Sequence, residues 1–177
     1  MVASLEVEHV HSATLTAEAA VEVYRLCDAA YECPTQPMFE ELGPGDHLLG
    51  RAGGVLVSHL MWITRWLQPE GRPPLRTGYV EMVATHPAGQ RRGYASTLLA
   101  DLVPYLAAYE LAALCPATDG LYHRLGWRFW QGPLHARKAG RQVPTPGERV
   151  MILATPRTPP LDRSVPLSVE WRRGEVW

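Results

Sequence analysis

The chain has 177 residues, and 17 Lys and Arg against 18 Asp and Glu give a formal charge of −1. No excess of positive charge draws it to nucleic acid or to an anionic membrane. An apolar content of 46%, over a length that suits one domain, is enough for one sizeable core and excludes disorder as the default. The longest apolar candidate, Leu98 to Leu114, is broken by Asp101 and Glu110 and falls short of the ~20 residues a spanning helix needs. MVASLEVEHV carries Glu6 and Glu8 with no basic stretch ahead of an apolar one, so it does not read as a secretory leader. The expectation is a cytoplasmic protein with no membrane and no nucleic-acid partner.

Cys27, Cys33 and Cys115 are odd in number and lack paired spacing, which reads as reduced thiols rather than a disulfide framework. Seven histidines invite a metal, yet they are scattered along the sequence, whereas structural metal motifs show tight paired spacings. No metal site is expected.

Residues 5–10, LEVEHV, alternate apolar and polar and predict a first strand. A helix opened by Thr14 or Thr16 follows, with Ala20, Val23, Tyr24, Cys27 and Tyr31 at helical spacing. Residues 33–46 hold three prolines and leave room only for a short helical turn around Phe39 to Leu42. His47 to Leu67 reads as two strands joined at Arg51 to Gly54, and Arg76 to Thr85 as a third antiparallel strand. Ser96 to Ala108 is helical with Leu98, Leu99, Leu102, Val103 and Leu106 on one face, and Pro104 should bend or interrupt it. Leu111 to Leu114 is a short buried strand, and a small helix from Thr118 to Leu125 stops at Gly126. Strands over Arg149 to Ala154 and Leu167 to Trp171 flank a Pro-rich crossing loop. This order predicts one α/β domain on a mixed sheet.

The most informative window runs from Thr77 to Leu102, where a strand passes through a turn into a helix opening on QRRGYAS. The first turn of a helix presents N–H groups without intrahelical partners, beside the positive end of the helix dipole. Gly93 lets a backbone come close, and Ala95 and Ser96 keep the entry small, as a diphosphate pressed on main-chain amides requires. Taken alone, a glycine near a helix start is more often a plain turn.

Gln90-Arg91-Arg92-Gly93-Tyr94-Ala95 resembles the Q/R-x-x-G-x-G/A motif of the GNAT acetyltransferase superfamily, and Tyr122-His123-Arg124-Leu125-Gly126-Trp127 is similar to its later Y-x-x-x-G-F element with Trp for Phe. GYVEMVA at 78–84, LYHRLGWRFWQGP at 121–133 and WRRGEVW at 171–177 resemble the aminoglycoside 2′-N-acetyltransferases over most of the chain. Departures at Pro37-Met38-Phe39 and Cys115-Pro116-Ala117 point to a divergent branch, such as one acting on kasugamycin. The resemblance implies a single-domain GNAT fold over 1–177, with a mixed, mostly antiparallel central sheet flanked by helices. It implies acetyl-CoA as co-substrate, held by Val83, Ala84, Arg91, Arg92, Gly93, Tyr94, Ala95 and Ser96, and it implies a homodimer.

Acetyl transfer from a thioester to an amine needs a neutral amine, a donor for the developing oxyanion and a proton for the departing thiolate. Glu81 is the candidate base, the Val83 N–H the candidate oxyanion donor and Tyr122 the candidate acid. An ordinary phenol, pKa ~10, gives its proton to a thiolate of pKa ~8.5 at a cost of only about 2 kcal/mol. The bland alternatives are an exposed strand carboxylate and a core tyrosine with a satisfied hydroxyl. Polycationic acceptors favour carboxylates, and the resemblance suggests Glu81, Glu148, Glu175 and Trp177 with its terminal carboxylate. Trp171 and Trp177 argue that the tail is folded, since a loose tail would leave two large apolar surfaces wet. The competing readings are an acetyltransferase of a protein lysine or amino terminus and a non-catalytic acetyl-CoA sensor.

Overall fold

The computed structural model describes residues 4–177, which divide into two compact units. The first runs to Ile63 and takes in Val80–Pro104, and the second comprises Thr64–Tyr79 and Tyr105–Trp177.

In the first unit β1 (Leu5–His11) leads through a short turn into α1 (Ala17–Tyr31). Of the two candidate caps it is Thr16 that serves, its Oγ1 accepting the Ala19 N–H at 3.2 Å. The helix buries Val23, Leu26 and Cys27. The next helix, α2 (Gln36–Leu42), is longer than the single turn expected. Pro37 sits in its first turn, where proline's fixed φ suits a helix start. Asp28 of α1 fixes the entry by accepting both the backbone N–H and the hydroxyl of Thr35 at 2.7 Å. Then β2 (Asp46–Ala52) turns through Gly53 and Gly54, both at positive φ, into β3 (Val55–Pro69), the tight hairpin the sequence predicts. β1 pairs antiparallel with β2, and β2 with β3 across a bulge at Gly50/Arg51. β4 (Leu75–Thr85) follows, then α3 (Tyr94–Leu106). This helix begins earlier than Ser96 and is not interrupted at Pro104. So close to the carboxyl end of the helix the missing N–H removes a single bond of the last turn.

The second unit adds β5 (Leu111–Leu114), α4 (Gly120–Arg124), β6 (Arg128–Phe129), β7 (Leu134–Lys138), β8 (Arg141–Pro144), β9 (Met151–Leu153) and β10 (Leu167–Glu170). Hydrogen-bonded neighbours run β6-β9-β5-β4-β3-β10-β7-β8. The β4/β5 and β7/β10 pairs are parallel. The β2/β3, β3/β10, β5/β9, β6/β9 and β7/β8 pairs are antiparallel. The sheet is therefore mixed and mostly antiparallel, with helices beside it, as expected. The β7–β8 hairpin was not foreseen. Its turn is Ala139-Gly140 at φ 49 and 75, a pair of positive φ values usually announced by Asn-Gly or Asp-Gly. Among the described residues no helix is long and apolar enough to cross a membrane.

The crossing loop at 155–166 is pinned to the strand end at 129–132. Arg163 O accepts from the N–H groups of Gln131 and Gly132 at 2.9 Å, and Val165 O accepts from Trp130 Nε1 at 2.7 Å. This approach needs Gly132: a Cβ there would lie 2.0 Å from Val165 O and 2.6 Å from Ser164 O. Backbone atoms cannot swing aside as a side-chain tip can. Gly132→Ala is therefore expected to destabilise the protein by about 3 kcal/mol or more, lowering the thermal midpoint by roughly 6–12 °C. An unchanged midpoint would contradict this packing.

Candidate functional site

β4 carries Glu81, Val83 and Ala84, and its backbone departs from a regular strand at the residue between them. Met82 has φ 51, a left-handed conformation that an L-residue with a side chain disfavours. Three successive carbonyls around it accept from side chains: Met82 O from His59 Nδ1 at 3.0 Å, Val83 O from the Tyr31 hydroxyl at 3.2 Å and Ala84 O from the Ser58 hydroxyl at 3.0 Å. A trans peptide directs its C=O and N–H to opposite sides. The N–H groups of Val83, Ala84 and Thr85 therefore each point away from the side chain that holds the carbonyl of the same peptide. On its β5 side the β4 ladder covers Thr77–Tyr79, while the strand itself runs on to Thr85. Glu81 and Val83 are half-buried, and Met82 and Ala84 are buried.

His59 does not act alone. Its Nε2 lies 2.9 Å from His47 Nδ1, and His47 Nε2 lies 2.8 Å from Ser12 Oγ. Burial, the main cause for both rings, lowers His47 to about 4 and His59 to about 3, the latter also repelled by His47. Both imidazoles are neutral near pH 7.

The entry to α3 carries the second set of backbone donors. Arg91 at φ 62 and Gly93 at φ 85 lie either side of Arg92, the alternating backbone that gathers successive N–H groups into an anion-binding concavity. Gly93 O accepts the Thr97 N–H at 3.0 Å and so starts the helix. Arg91, Arg92 and Gly93 are exposed, Ala95 and Ser96 half-buried and Tyr94 buried. Arg92 and Tyr94 line a cavity of about 700 Å³ together with His86, Gly89 and the β2–β3 hairpin.

The remaining candidates belong to the second unit. Tyr122 is buried on α4, its ring edge-on to Trp127 at 6.3 Å between centroids. Burial, with a lesser contribution from Cys115, pushes its phenol up to about 12. Full transfer of that proton to a thiolate near ~8.5 would cost about 5 kcal/mol, more than an ordinary tyrosine's about 2. Glu148 is exposed, receives the Cys115 thiol at 3.8 Å, and lines a cavity of about 540 Å³ with Phe129, Trp130, His135 and Thr145. Trp177 is buried and donates from Nε1 to Thr145 Oγ1 at 2.8 Å. The tail is further held by Arg65, which is 3% exposed and donates to Val176 O at 3.1 Å and to Glu170 Oε1 at 2.7 Å. Trp171, expected to be buried, is 45% exposed. One face of its ring is covered by Lys138 Nζ at 4.1 Å from the centroid, and this cation–π contact accounts for an aromatic residue left at the surface.

The structure thus gathers Glu81, Val83 and Ala84 on β4 and Arg91–Ser96 at the α3 entry within the first unit. In the second it places Glu148, with Trp177 behind Thr145, at one cavity. Glu175 is exposed and is not part of that lining. Sequence reasoning missed His59, His47, Tyr31 and Ser58. The only sequence signal was two histidines among apolar neighbours in adjacent strands.

Residues 12–130 match the family model described as an acetyltransferase (GNAT) domain. An aminoglycoside 2′-N-acetyltransferase of Mycolicibacterium fortuitum is 29% identical over 176 residues, covering 95% of this chain and 90% of that protein. A GNAT family acetyltransferase from Brucella melitensis, solved in complex with acetyl-CoA, superposes with a TM-score of 0.58 at 16% identity, over 96% of this chain and 97% of that one. A GCN5-related N-acetyltransferase from Kribbella flavida superposes with a TM-score of 0.56 at 18% identity over 73% of this chain, which spans about a third (34%) of that protein's length. At these identities the two structures show a shared fold.

The buried phenol gives a measurable signature. The absorbance of phenolate at 295 nm, compared between wild type and Tyr122→Phe, is expected to show no lost tyrosinate at pH 10.5, because Tyr122 still holds its proton there. A difference that develops with a midpoint near 10 would contradict the burial of this hydroxyl.

Proposed function

The chain belongs to the GNAT acetyltransferase family, and on that premise we propose that residues 1–177 form one domain that moves the acetyl group of acetyl-CoA to an amine of an aminoglycoside. The observation that carries the transfer chemistry is the pair of main-chain donor sets in the first unit, one at the α3 entry and one on β4 where side chains hold three successive carbonyls. Support for the acceptor class comes from the near full-length relative named as an aminoglycoside 2′-N-acetyltransferase.

The residues fit acetyl-CoA, since the arginines and the left-handed backbone at Arg91 and Gly93 suit a diphosphate. The N–H groups of Arg91–Ser96 hold that diphosphate, and the Arg91 and Arg92 side chains add charge. Val83 and Ala84 meet the thioester end, with the Val83 N–H directed at the carbonyl oxygen that becomes an oxyanion. Glu81 takes a proton from the acceptor ammonium, directly or through water, so that a neutral amine attacks. Attack forms the C–N bond, and collapse breaks the C–S bond and expels the CoA thiolate. Tyr122 donates a hydrogen bond to that sulfur. With its phenol near 12 it stabilises the thiolate as a donor, and complete proton transfer is the smaller part of its contribution.

We assign acceptor binding to Glu81, Glu148, Glu175 and Trp177, and each carboxylate–ammonium hydrogen bond would contribute about 1.5–3 kcal/mol. Our choice of position is the 2′ amine, and our choice of branch is one acting on a compound such as kasugamycin. The reading extends to a cytoplasmic homodimer that confers resistance to its acceptor antibiotic.

The test is release of free thiol from acetyl-CoA across an aminoglycoside panel that includes kasugamycin, followed by mass spectrometry of the acetylated product. Turnover with an aminoglycoside is the expected result. Turnover only with peptide amines would replace the acceptor class, and none with any amine would leave a sensor. In the active pairing Glu81→Gln should lower kcat by roughly 10²–10⁴, and Tyr122→Phe should lower it by less. Gly93→Asp keeps a residue that tolerates positive φ but sets a negative charge against the diphosphate. It should raise the KM for acetyl-CoA about tenfold or more while kcat holds. Wild-type constants in all three folded variants would overturn the site.

A further inference from the structure

The Met82 carbonyl can only accept, so the hydrogen in its 3.0 Å contact with His59 sits on Nδ1. A neutral imidazole with Nδ1 protonated leaves Nε2 as an acceptor, and the 2.9 Å approach of His47 Nδ1 supplies the donor. His47 Nε2 must then accept, and the single hydrogen of the Ser12 hydroxyl, which has both His47 Nε2 at 2.8 Å and Gly45 O at 2.9 Å within reach, goes to the ring; Gly45 O keeps the Ser12 N–H at 2.9 Å, and the Gly45 N–H donates to the hydroxyl from 3.0 Å. One carbonyl on β4 thus sets the direction of every bond back to Ser12, and each polar atom of the chain is satisfied. The His59 ring is also gripped from the sides, by Cys27 Sγ at 3.7 Å from Nδ1 and by the Phe39 ring at 5.7 Å between centroids.

This chain ends at the one residue of β4 whose φ is 51. The peptide between Met82 and Val83 is a rigid plate with its C=O on the His59 side and its N–H on the other. Rotating that plate, a change of ψ at Met82 and of φ at Val83, would turn the Val83 N–H inward and leave the φ of Met82 as it is. We propose that His59 is a positioning residue for acetyl transfer: by donating to Met82 O it locks the Met82–Val83 peptide and aims the Val83 N–H at the oxygen of the thioester. The hydrogen bond also polarises the amide, which makes its N–H the better donor. His47 and Ser12 hold His59 in the tautomer this requires. The inference rests on the reading of Val83 as the oxyanion donor.

Three substitutions of His59 separate positioning from packing. Asn carries an amide N–H₂ where Nδ1 was and keeps a donor to Met82, Gln reaches the place of Nε2 and keeps only the His47 side, and Leu keeps neither. With the purified full chain and acetyl-CoA in the thiol-release assay, His59→Gln and His59→Leu should lower kcat roughly ten- to hundredfold, with the KM for acetyl-CoA within about threefold of wild type. His59→Asn should stay within about threefold of wild type in both constants. Equal kcat losses in the Asn and Gln variants, or wild-type kcat in the Gln variant, would overturn the proposal. Should Leu at this buried position fail to fold, the Asn and Gln pair still decides it, since each retains one of the two bonds. An independent readout uses the unmodified protein: imidazole nitrogen shifts at pH 7 should show His59 protonated on Nδ1, and the Nε2–H tautomer would overturn the proposal without any variant. Gly93→Asp distinguishes the levels of failure. Unperturbed His59 variants beside a raised acetyl-CoA KM in Gly93→Asp remove this inference alone, whereas wild-type behaviour in both removes the site reading with it.

Discussion

A peptide group cannot show its carbonyl and its N–H to the same side, and β4 is arranged around that constraint. His59, Tyr31 and Ser58 draw the carbonyls of Met82, Val83 and Ala84 toward themselves. The N–H groups that follow each carbonyl are thereby turned the other way. The arrangement tolerates a left-handed Met82, a conformation that costs roughly 1–2 kcal/mol in a residue with a Cβ, because the hydrogen bond at its carbonyl is made by a ring that α1, α2 and β2 enclose. Cys27 comes from α1, Phe39 from α2 and His47 from β2, and α1 also supplies Tyr31 to the Val83 carbonyl. Most elements of the first unit therefore contribute to the backbone of four residues of one strand, Met82 to Thr85.

The same economy holds at the α3 entry. There too the chemistry is assigned to main-chain N–H groups, and side chains set the backbone that presents them. Arg91 and Gly93 at positive φ form the concavity, and Gly93 O begins the helix whose dipole adds positive charge behind it. Main-chain donors have no rotamers to order, so a cofactor bound by them loses little to conformational entropy. The acceptor side of the proposal is built differently, from separate carboxylates and a tail. Arg65 ties that tail in place through Glu170 and Val176 O, so a buried cation organises a region proposed to receive an amine.

Much of this was legible in the sequence because local chemistry decides it. Thr16 caps α1, Gly53-Gly54 makes the hairpin, and the Gln90–Ala95 motif fell on a helix entry whose φ values suit an anion. What could not be read depended on register or on conformation. His47 and His59 meet only because β2 and β3 pair so that Leu49 faces His59 and His47 faces Met61, and a bulge at Gly50/Arg51 shifts that register where no sequence period records it. The left-handed φ of Met82 has no signature at all, since methionine is not a residue that announces one. The β7–β8 hairpin hid behind Ala139, and Trp171 was misplaced because a lysine on a neighbouring strand covers it. The rise of the Tyr122 phenol to about 12 likewise follows from burial, which the motif alone does not give.

The central claim is that two sets of backbone amides, at the α3 entry and on the irregular part of β4, together receive acetyl-CoA. The direct measurement is a titration of ¹⁵N-labelled protein with acetyl-CoA, followed amide by amide. The account predicts that the largest shifts fall on Arg91–Ser96 and on Val83 and Ala84, and that desulfo-CoA reproduces the first group while weakening the second. Saturable binding that leaves both groups unmoved, with the shifts clustered elsewhere, would contradict it.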